Sequence, residues 1–245
     1  MKWGFFSVTH IVSLIVAALI IVGLYFALRK LSAKWQTIIL GILSFSGIAA
    51  IIFNLVAWNS PWEYLPLHLC SINALILPYV VFSKNKLIGN LLIFWSLGAL
   101  LALLFNTPMK DVEIFSWTFA FYYFPHVLEF GIPWLLFALK LVKKNAQYFV
   151  STMAITVEIF AIVHFVNVVL NKYFIANNIV DYAGNIIQVN YMFTLAPNNP
   201  ALDLLYSILP YQFWYLMLAL PIVAIYLAIV YLPQIISYFK ARKAA

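Results

Sequence analysis

The sequence predicts an all-α fold, a single domain over residues 1–245 that forms a bundle of about seven transmembrane helices. Hydrophobic residues make up 66% of the 245 residues and charged residues only 9%, whereas a soluble domain carries about 25% charged residues. A chain with so few charges cannot cover a water-facing surface. We therefore expect a multi-pass protein of the cell membrane.

Seven apolar runs are candidates for crossing the bilayer, which takes about 20 residues each. They lie at about 9–28, 37–58, 67–82, 88–105, 116–139, 148–170 and 213–236. The first run differs from a signal peptide, which has a basic start, a short apolar core and a small-residue cleavage site. The only basic residue before this run is Lys2, and the basic pair Arg29 and Lys30 follows it. We interpret it as a retained helix.

Polar and turn-forming residues separate the next three runs. The second ends at the turn-rich stretch 59–66, which contains two prolines, and the third stops at Lys84 and Lys86. The fourth leads into a polar connection that contains Lys110 and Asp111. Each run therefore has a defined end, as separate helices require.

The fifth run contains Pro125 and Pro133, so we expect a kinked helix whose freed carbonyl groups bond to neighbouring helices. The sixth run is followed by the longest irregular stretch, about 171–211, which is rich in Asn, Pro and Tyr. A last apolar run then ends in a basic group.

The basic residues segregate to one side of a seven-helix arrangement. That side holds Arg29, Lys30, Lys34, Lys84, Lys86, Lys140, Lys143, Lys144, Lys240, Arg242 and Lys243, which is eleven of the 14. The other side holds Lys2, Lys110 and Lys172. Cytoplasmic loops are enriched in Lys and Arg, so we expect the N-terminus outside and the C-terminus in the cytoplasm.

The net charge of +7 does not indicate nucleic-acid binding, because the basic residues form small groups between apolar runs and not one long basic segment. Cys70 is the only cysteine, so an internal disulfide is excluded. The helical segments also contain two acids, Glu129 and Glu158. Ionisable groups at membrane depth are costly and often mark a functional or polar interior.

Three predicted helices each carry a polar stripe. The stripes are Cys70 with Asn73, His126 with Glu129, and His164 with Asn167. Members of each pair are three residues apart and share a helix face. We expect these faces to meet in an interior cavity on the outer side of the midplane.

Each polar residue also has a structural explanation. A lone membrane cysteine commonly fills space as a small apolar side chain, and Asn73 and Asn167 can bond neighbouring helices. The functional interpretation is favoured because a thiol, histidines and acids occur together in the predicted helices. A histidine can activate a thiol as a nucleophile, and a carboxylate can orient that histidine. Cys70, His126 and Glu129 supply these groups.

Zinc also binds such residues, but neither an HExxH motif nor paired cysteines are present, so we predict no metal.

Four short motifs carry a resemblance that covers about residues 5–235. They are Leu65-Pro66-Leu67-His68-Leu69-Cys70-Ser71-Ile72-Asn73, Phe124-Pro125-His126, Asn190-Tyr191-Met192 and Pro210-Tyr211-Gln212-Phe213-Trp214-Tyr215. In this order they resemble the YwaF-like bacterial integral membrane proteins, a group similar to the eukaryotic transmembrane protein 164 family. The chain departs from bacterial relatives at Pro125, where a small residue is usual, and in the last motif, where a Pro-Trp-Pro-Trp-Tyr stretch is usual.

The resemblance implies a cysteine-dependent acyltransferase that moves a fatty acyl chain between lipids. Cys70 matches the active cysteine and His126 its histidine. The expected partners are a membrane phospholipid and a lysolipid or lipoprotein acceptor, without a cofactor. We expect His68, Asn73, Glu129, His164, Asn167, Asn190 and Tyr191 to support the site or bind substrate, with His68 or His164 near the headgroup or oxyanion. The alternatives are a transport or solute-binding subunit and a subunit that only packs against partners. The sequence does not indicate an oligomeric state.

Overall fold

The protein is all-helical, as predicted. The structure, a computed structural model, describes residues 1–58, 60–181 and 183–244, without the side chains of Thr107 and residues 241–244. Helices account for 73% of the residues. The helices are α1 Val8–Leu28, α2 Ala33–Ser44, α3 Ser46–Ala57, α4 Leu69–Ser83, α5 Lys86–Leu104, α6 Trp117–Ala138, α7 Phe149–Ala176, α8 Pro200–Ile208, α9 Trp214–Met217 and α10 Ala219–Ala244.

Five segments in the described part of the chain are long and apolar enough to cross a membrane. They are Val8–Leu28, Ala33–Ala57, Lys86–Leu104, Ala146–Ala176 and Trp214–Lys240. The other two predicted crossings correspond to α4 and α6. Helix α4 is apolar but has only 15 residues, whereas about 20 span the hydrocarbon. Helix α6 has 22 residues, but its proline, tyrosine, histidine and glutamate residues lower its mean hydropathy.

Several elements differ from the sequence prediction. The run at 37–58 divides into α2 and α3 at Phe45. The helix predicted at 148–170 continues to Ala176, because the polar pair Asn171 and Lys172 is followed by further apolar residues, of which Phe174 is fully buried. The stretch 171–211 is less irregular than expected, since it contains α8, which begins at Pro200 after the capping residue Asn199. The last run divides into α9 and α10.

The chain separates into two compact units. The first comprises Met1–Asn59 and Leu69–Lys143, and the second comprises Ser60–His68 and Lys144–Ala245. In the first unit, α6 packs against α1, α3 and α5, and α4 packs against α2, α3, α5 and α6. Helices α4 and α6 therefore lie in the middle of this bundle, where they carry Cys70 and His126.

The N-terminal segment is fixed onto the first unit. Trp3 N–H donates to the Val112 carbonyl at 2.8 Å, and Gly4 N–H donates to the Lys110 carbonyl at 2.7 Å. The Trp3 indole is fully buried and lies edge-on to Phe119 and Tyr122, with ring centroids 5.0 and 5.8 Å apart. We call residues 1–4 with 110–114 the N-terminal clip. The clip packs against the beginning of α6.

The second unit is organised around α7. The turn Tyr191–Phe193 packs against α7, α8 packs against α9, and α9 packs against α10. The connection before α7 is held to α10, because Lys144 Nζ donates to the Val230 carbonyl at 2.7 Å and Gln234 Nε2 donates to the Lys144 carbonyl at 2.6 Å.

Candidate functional site

Cys70 lies in the first turn of α4, because the helix begins at Leu69. The first four N–H groups of a helix have no intrahelical partner, and the partial positive charge there stabilises an anion. The N–H groups of this first turn include those of Cys70 and Ser71. The thiol is free and half-buried. A thiolate formed at this position would meet donors on its own helix.

The His126 imidazole is held by Tyr122, one turn earlier on α6. Its Nδ1 lies 2.6 Å from the Tyr122 carbonyl oxygen. A carbonyl only accepts hydrogen bonds, so we assign the proton of the neutral ring to Nδ1, and Nε2 keeps its lone pair. An unprotonated ring nitrogen is what a general base requires.

Tyr122 fixes the position of this ring in a second way. The two rings are tilted by 32° and their centroids are 4.3 Å apart. The Tyr122 hydroxyl donates to the Ala102 carbonyl of α5 at 3.0 Å, and Trp3 of the N-terminal clip packs against its edge. The imidazole is therefore positioned by a side chain that α5 and the clip hold in place.

Glu129 does not orient His126 in the way the sequence suggested. The Nδ1 partner of His126 is the Tyr122 carbonyl, and the buried Glu129 Oε2 has no hydrogen-bond partner among the described residues. Glu129 Oε1 faces α3, where a Cβ added to Gly47 would lie 2.8 Å from it. The orienting role thus falls to the backbone of α6, because His126 reaches back to the carbonyl four residues earlier.

The first unit brings together four of the predicted site residues. The Cys70 thiol, the Glu129 carboxyl and the Tyr122 phenol are close enough to interact electrostatically. His126 stacks on Tyr122. Asn73 is one turn after Cys70 on α4, is fully buried, and neither its Nδ2 nor its Oδ1 has a partner among the described residues. This cluster holds a thiol, an imidazole and unsatisfied polar atoms.

The remaining predicted site residues lie in the second unit and hold one loop. Asn167 Nδ2 donates to the Tyr191 carbonyl at 2.8 Å, and Tyr191 N–H donates to Asn167 Oδ1 at 3.0 Å. The Tyr191 hydroxyl donates to the Trp62 carbonyl.

Asn190 closes its own turn, since its Nδ2 donates to the Ala196 carbonyl at 2.8 Å and its Oδ1 accepts from Leu195 N–H at 2.9 Å. These amides are occupied by backbone groups.

The two histidines of this unit contact the same turn. Met192 N–H donates to His68 Nδ1 at 3.2 Å, so Nε2 of the neutral His68 ring carries the proton. His164 Nδ1 lies 3.2 Å from the Thr194 hydroxyl. Met192 and Phe193 have φ of 53° and 57°, a left-handed conformation that is costly for bulky residues and is often found near functional sites. A headgroup role for His68 and His164 stays a prediction.

Sequence reasoning missed three residues that shape the first unit: Tyr122, Gly47 and Trp3. The four-residue spacing of Tyr122 and His126 is visible in the sequence and is typical of contacts along a helix face. Gly47 and Trp3 gave no signal, because their partners are distant in the chain. In the described part of the chain no three His, Cys, Asp or Glu residues lie close enough together to hold a metal ion.

Comparison with known proteins identifies the family. The family model described as the TMEM164 family matches residues 5–231, a range that includes Cys70, Asn73, His126 and Glu129. No curated protein and no solved structure matches the chain. Since the family match covers most of the sequence, from residue 5 before α1 to residue 231 within α10, the chain belongs to the TMEM164 family.

Proposed function

We propose that the protein is a membrane-embedded acyltransferase. Cys70 takes a fatty acyl chain from a phospholipid as a thioester and passes it to a lysolipid or lipoprotein acceptor. The resemblance of the Cys70 and His126 motifs to a cysteine-dependent acyltransferase supports this activity, as do the apolar helices, because both substrates are membrane lipids. No soluble cofactor takes part.

One observation carries the proposal. His126 donates Nδ1–H to a backbone carbonyl at 2.6 Å, so its Nε2 has the lone pair that removes a thiol proton. The thiol in question lies in the first turn of α4, at the positive end of the helix. Proton transfer requires Cys70 Sγ and His126 Nε2 to approach to roughly 3 Å.

The reaction then has two halves. Cys70 Sγ attacks the ester carbonyl carbon, and its proton passes to His126 Nε2. The ester C–O bond breaks, the acyl group stays on sulfur, and the departing lysolipid oxygen takes the proton from Nε2. The acceptor hydroxyl or amine attacks the thioester and gives its proton to Nε2. The C–S bond breaks, and the thiol recovers that proton.

The activity is tested with a labelled phospholipid. Purified protein in vesicles is given phospholipid with a labelled acyl chain, together with an unlabelled lysolipid or an amino-terminal lipopeptide. We expect the label to move to one acceptor and the Cys70→Ala variant to transfer none. Transfer at the wild-type rate by Cys70→Ala would contradict the cysteine mechanism. If the wild type transfers label to neither acceptor, the transport function becomes the better explanation.

The same proposal includes the arrangement in the membrane, with seven crossings and the N-terminus outside. Two of the seven proposed crossings are α4 and α6, which pack against other helices of the first unit. The short length of α4 and the lower hydropathy of α6 are compatible with this position, because neighbouring helices shield part of each from lipid. The support for the orientation is the segregation of Lys and Arg to one side.

A topology prediction follows. In a Cys70→Ala background, a cysteine at the exposed Asn185 should react with an impermeant thiol reagent in intact cells, because 171–211 faces outside. A cysteine at the exposed Lys143 should react only after permeabilisation, and it serves as the control. The opposite pattern of labelling would overturn the orientation.

A further inference from the structure

Asn73 is the buried polar side chain of α4 whose hydrogen-bonding capacity is unused. Asn73 has no exposed surface, and neither its amide nitrogen nor its amide oxygen has a hydrogen-bond partner among the described residues. Buried polar groups are almost always hydrogen-bonded, and leaving an amide without partners costs stability. An amide kept in this state therefore indicates a partner that arrives with a ligand.

The position of Asn73 on α4 determines which ligand atoms it can reach. It follows Cys70 by three residues, so both side chains lie on one face of the helix. Helical side chains lean toward the N-terminus of their helix and cover the preceding turn. The Asn73 amide therefore lies on the same side of the helix as the sulfur, over the first turn of α4.

Close packing behind α4 keeps this face in place. The next residue, Ala74, contacts α3 so tightly that a Cβ on Gly47 would lie 2.5 Å from the Ala74 Cβ. Glu129 Oε1 lies at the same point. With this side of α4 filled by α3 and α6, the helix cannot rotate to turn Asn73 toward another element without losing these contacts.

We propose that Asn73 Nδ2 and the free N–H groups of the first turn of α4 form the oxyanion hole of the acyl transfer. This inference rests on the proposed function and names a further catalytic residue of the same site. When Cys70 Sγ bonds to the ester carbon, the C=O π electrons move onto the carbonyl oxygen. The amide N–H and the first-turn N–H groups then donate to that oxygen. When the intermediate collapses, the electrons return, and the C–O bond to the lysolipid breaks.

The chemistry of the amide explains why an asparagine suits this place. Preorganised donors in a site that excludes water stabilise developing negative charge strongly, and asparagine side chains serve this purpose in acyl-transfer enzymes. The Asn73 amide donates hydrogen bonds without carrying a net charge, so its burial avoids the large cost of burying an unpaired charge.

The test compares two reactions of the same thiol. Acylation of Cys70 by phospholipid passes through an oxyanion, whereas alkylation of Cys70 by iodoacetamide displaces iodide and forms none. In Asn73→Leu, which keeps the volume and removes the donor, acylation should slow by about 100- to 1000-fold. Alkylation should stay within about twofold of the wild type, because donors of this kind stabilise only the charge that develops on an oxyanion. Asn167→Leu is the matched control: any change that it causes should be the same for the rate of acylation and the rate of alkylation.

Folding is checked by thermal unfolding in detergent. Asn73→Leu should melt no lower than the wild type, since it removes an unsatisfied buried amide. If it fails to fold, Asn73→Ala replaces it, with the same expected split between the two rates. Acylation by the variant at a rate close to that of the wild type, or an equal loss of acylation and alkylation, would overturn the inference while leaving the cysteine mechanism standing. Absence of acylation in the wild type would overturn both.

Discussion

Asn73 and Asn167 are both fully buried asparagines on helices of this protein, and their surroundings differ. Asn167 exchanges two hydrogen bonds with the backbone of Tyr191, one in each direction, and donates a further bond to Thr194. Asn73 makes none with the described residues. The first amide is fully used in holding a loop on α7. The second is available to a ligand, and it lies in the unit that also holds the thiol and the base.

The same contrast separates the histidines. His68 uses Nδ1 to accept from the backbone of the loop at Met192, whereas His126 uses Nδ1 to donate to Tyr122 and keeps Nε2 unprotonated. A histidine in the first arrangement stabilises a turn. A histidine in the second can take a proton. On the proposed function, the acyl-transfer chemistry takes place in the first unit, and the contacts of His68 in the second unit hold a loop.

The largest effects are expected at the thiol and its base. Cys70→Ala should abolish acyl transfer, and His126→Ala should lower its rate by about 100- to 10,000-fold, both measured with labelled phospholipid in vesicles. Because a nucleophile and its base act as a unit, the double variant should be little worse than Cys70→Ala alone. Glu129→Gln should be much milder, because Tyr122 and not Glu129 orients the ring. A rate in His126→Ala equal to that of the wild type would remove the base from the mechanism.

The asparagine comparison also predicts opposite effects on stability. Asn167→Ala should lower the free energy of unfolding by about 2–3 kcal/mol, because it leaves buried groups of Tyr191 and Thr194 unpaired. Asn73→Ala should change it by less than about 1 kcal/mol, since no bond is lost. Thermal unfolding of both variants in the same detergent measures the difference. Equal destabilisation by the two substitutions would mean that Asn73 is structural as well.

Two helical glycines provide a smaller, matched test of the packing around Glu129. Gly47→Ala would place a Cβ 2.5 Å from the Ala74 Cβ and 2.8 Å from Glu129 Oε1, so it should cost about 1–3 kcal/mol through overpacking. Gly23→Ala has nothing within 4 Å of the new atom and should be neutral or stabilising by up to about 1 kcal/mol, because alanine favours a helix. Unfolding temperatures that are the same for both variants would show that α3 and α4 can separate freely.

Much of the fold could be predicted from the sequence, because hydrophobic runs and basic residues are local signals. The all-helical class followed from them, and the predicted ends of α1 and α5 lie within two residues of the observed ones. The break at Phe45 was not predicted, although Ser44, Ser46 and Gly47 flank it and Gly/Ser pairs are a known cause of sharp helix kinks. The site was harder still. Asn73 and Asn167 have the same residue type on apolar helices, and only the packed structure shows which amide is occupied. The roles of Tyr122 and Gly47 depend on contacts between helices in the same way.

The smallest effect on stability is expected at the N-terminal clip, where an exposed ion pair joins its two segments. Lys2 Nζ lies 3.0 Å from Asp111 Oδ1, and its hydrogen bond and charge hold the pKa of Asp111 below its ordinary value of 3.8. A carboxyl with a lowered pKa stabilises the fold above its ordinary pKa, and this contribution disappears as the pH falls through the lowered value.

Both side chains are mostly exposed, so solvent screens the pair and the contribution is small. The difference in unfolding temperature between the wild type and Asp111→Asn should therefore be slight at pH 6 and should vanish as the pH falls through the lowered pKa of Asp111. A difference that grows as the pH falls would contradict the ion pair.

The most direct test of the central claim is the intact mass of the protein after incubation with a phospholipid of defined acyl chains and no acceptor. The account predicts an added mass equal to one acyl group, located on Cys70, removed by neutral hydroxylamine and absent from Cys70→Ala. It also predicts that adding the acceptor restores the original mass. An unmodified wild type under conditions where label is transferred, or an acyl group that persists in Cys70→Ala, would contradict the thioester mechanism.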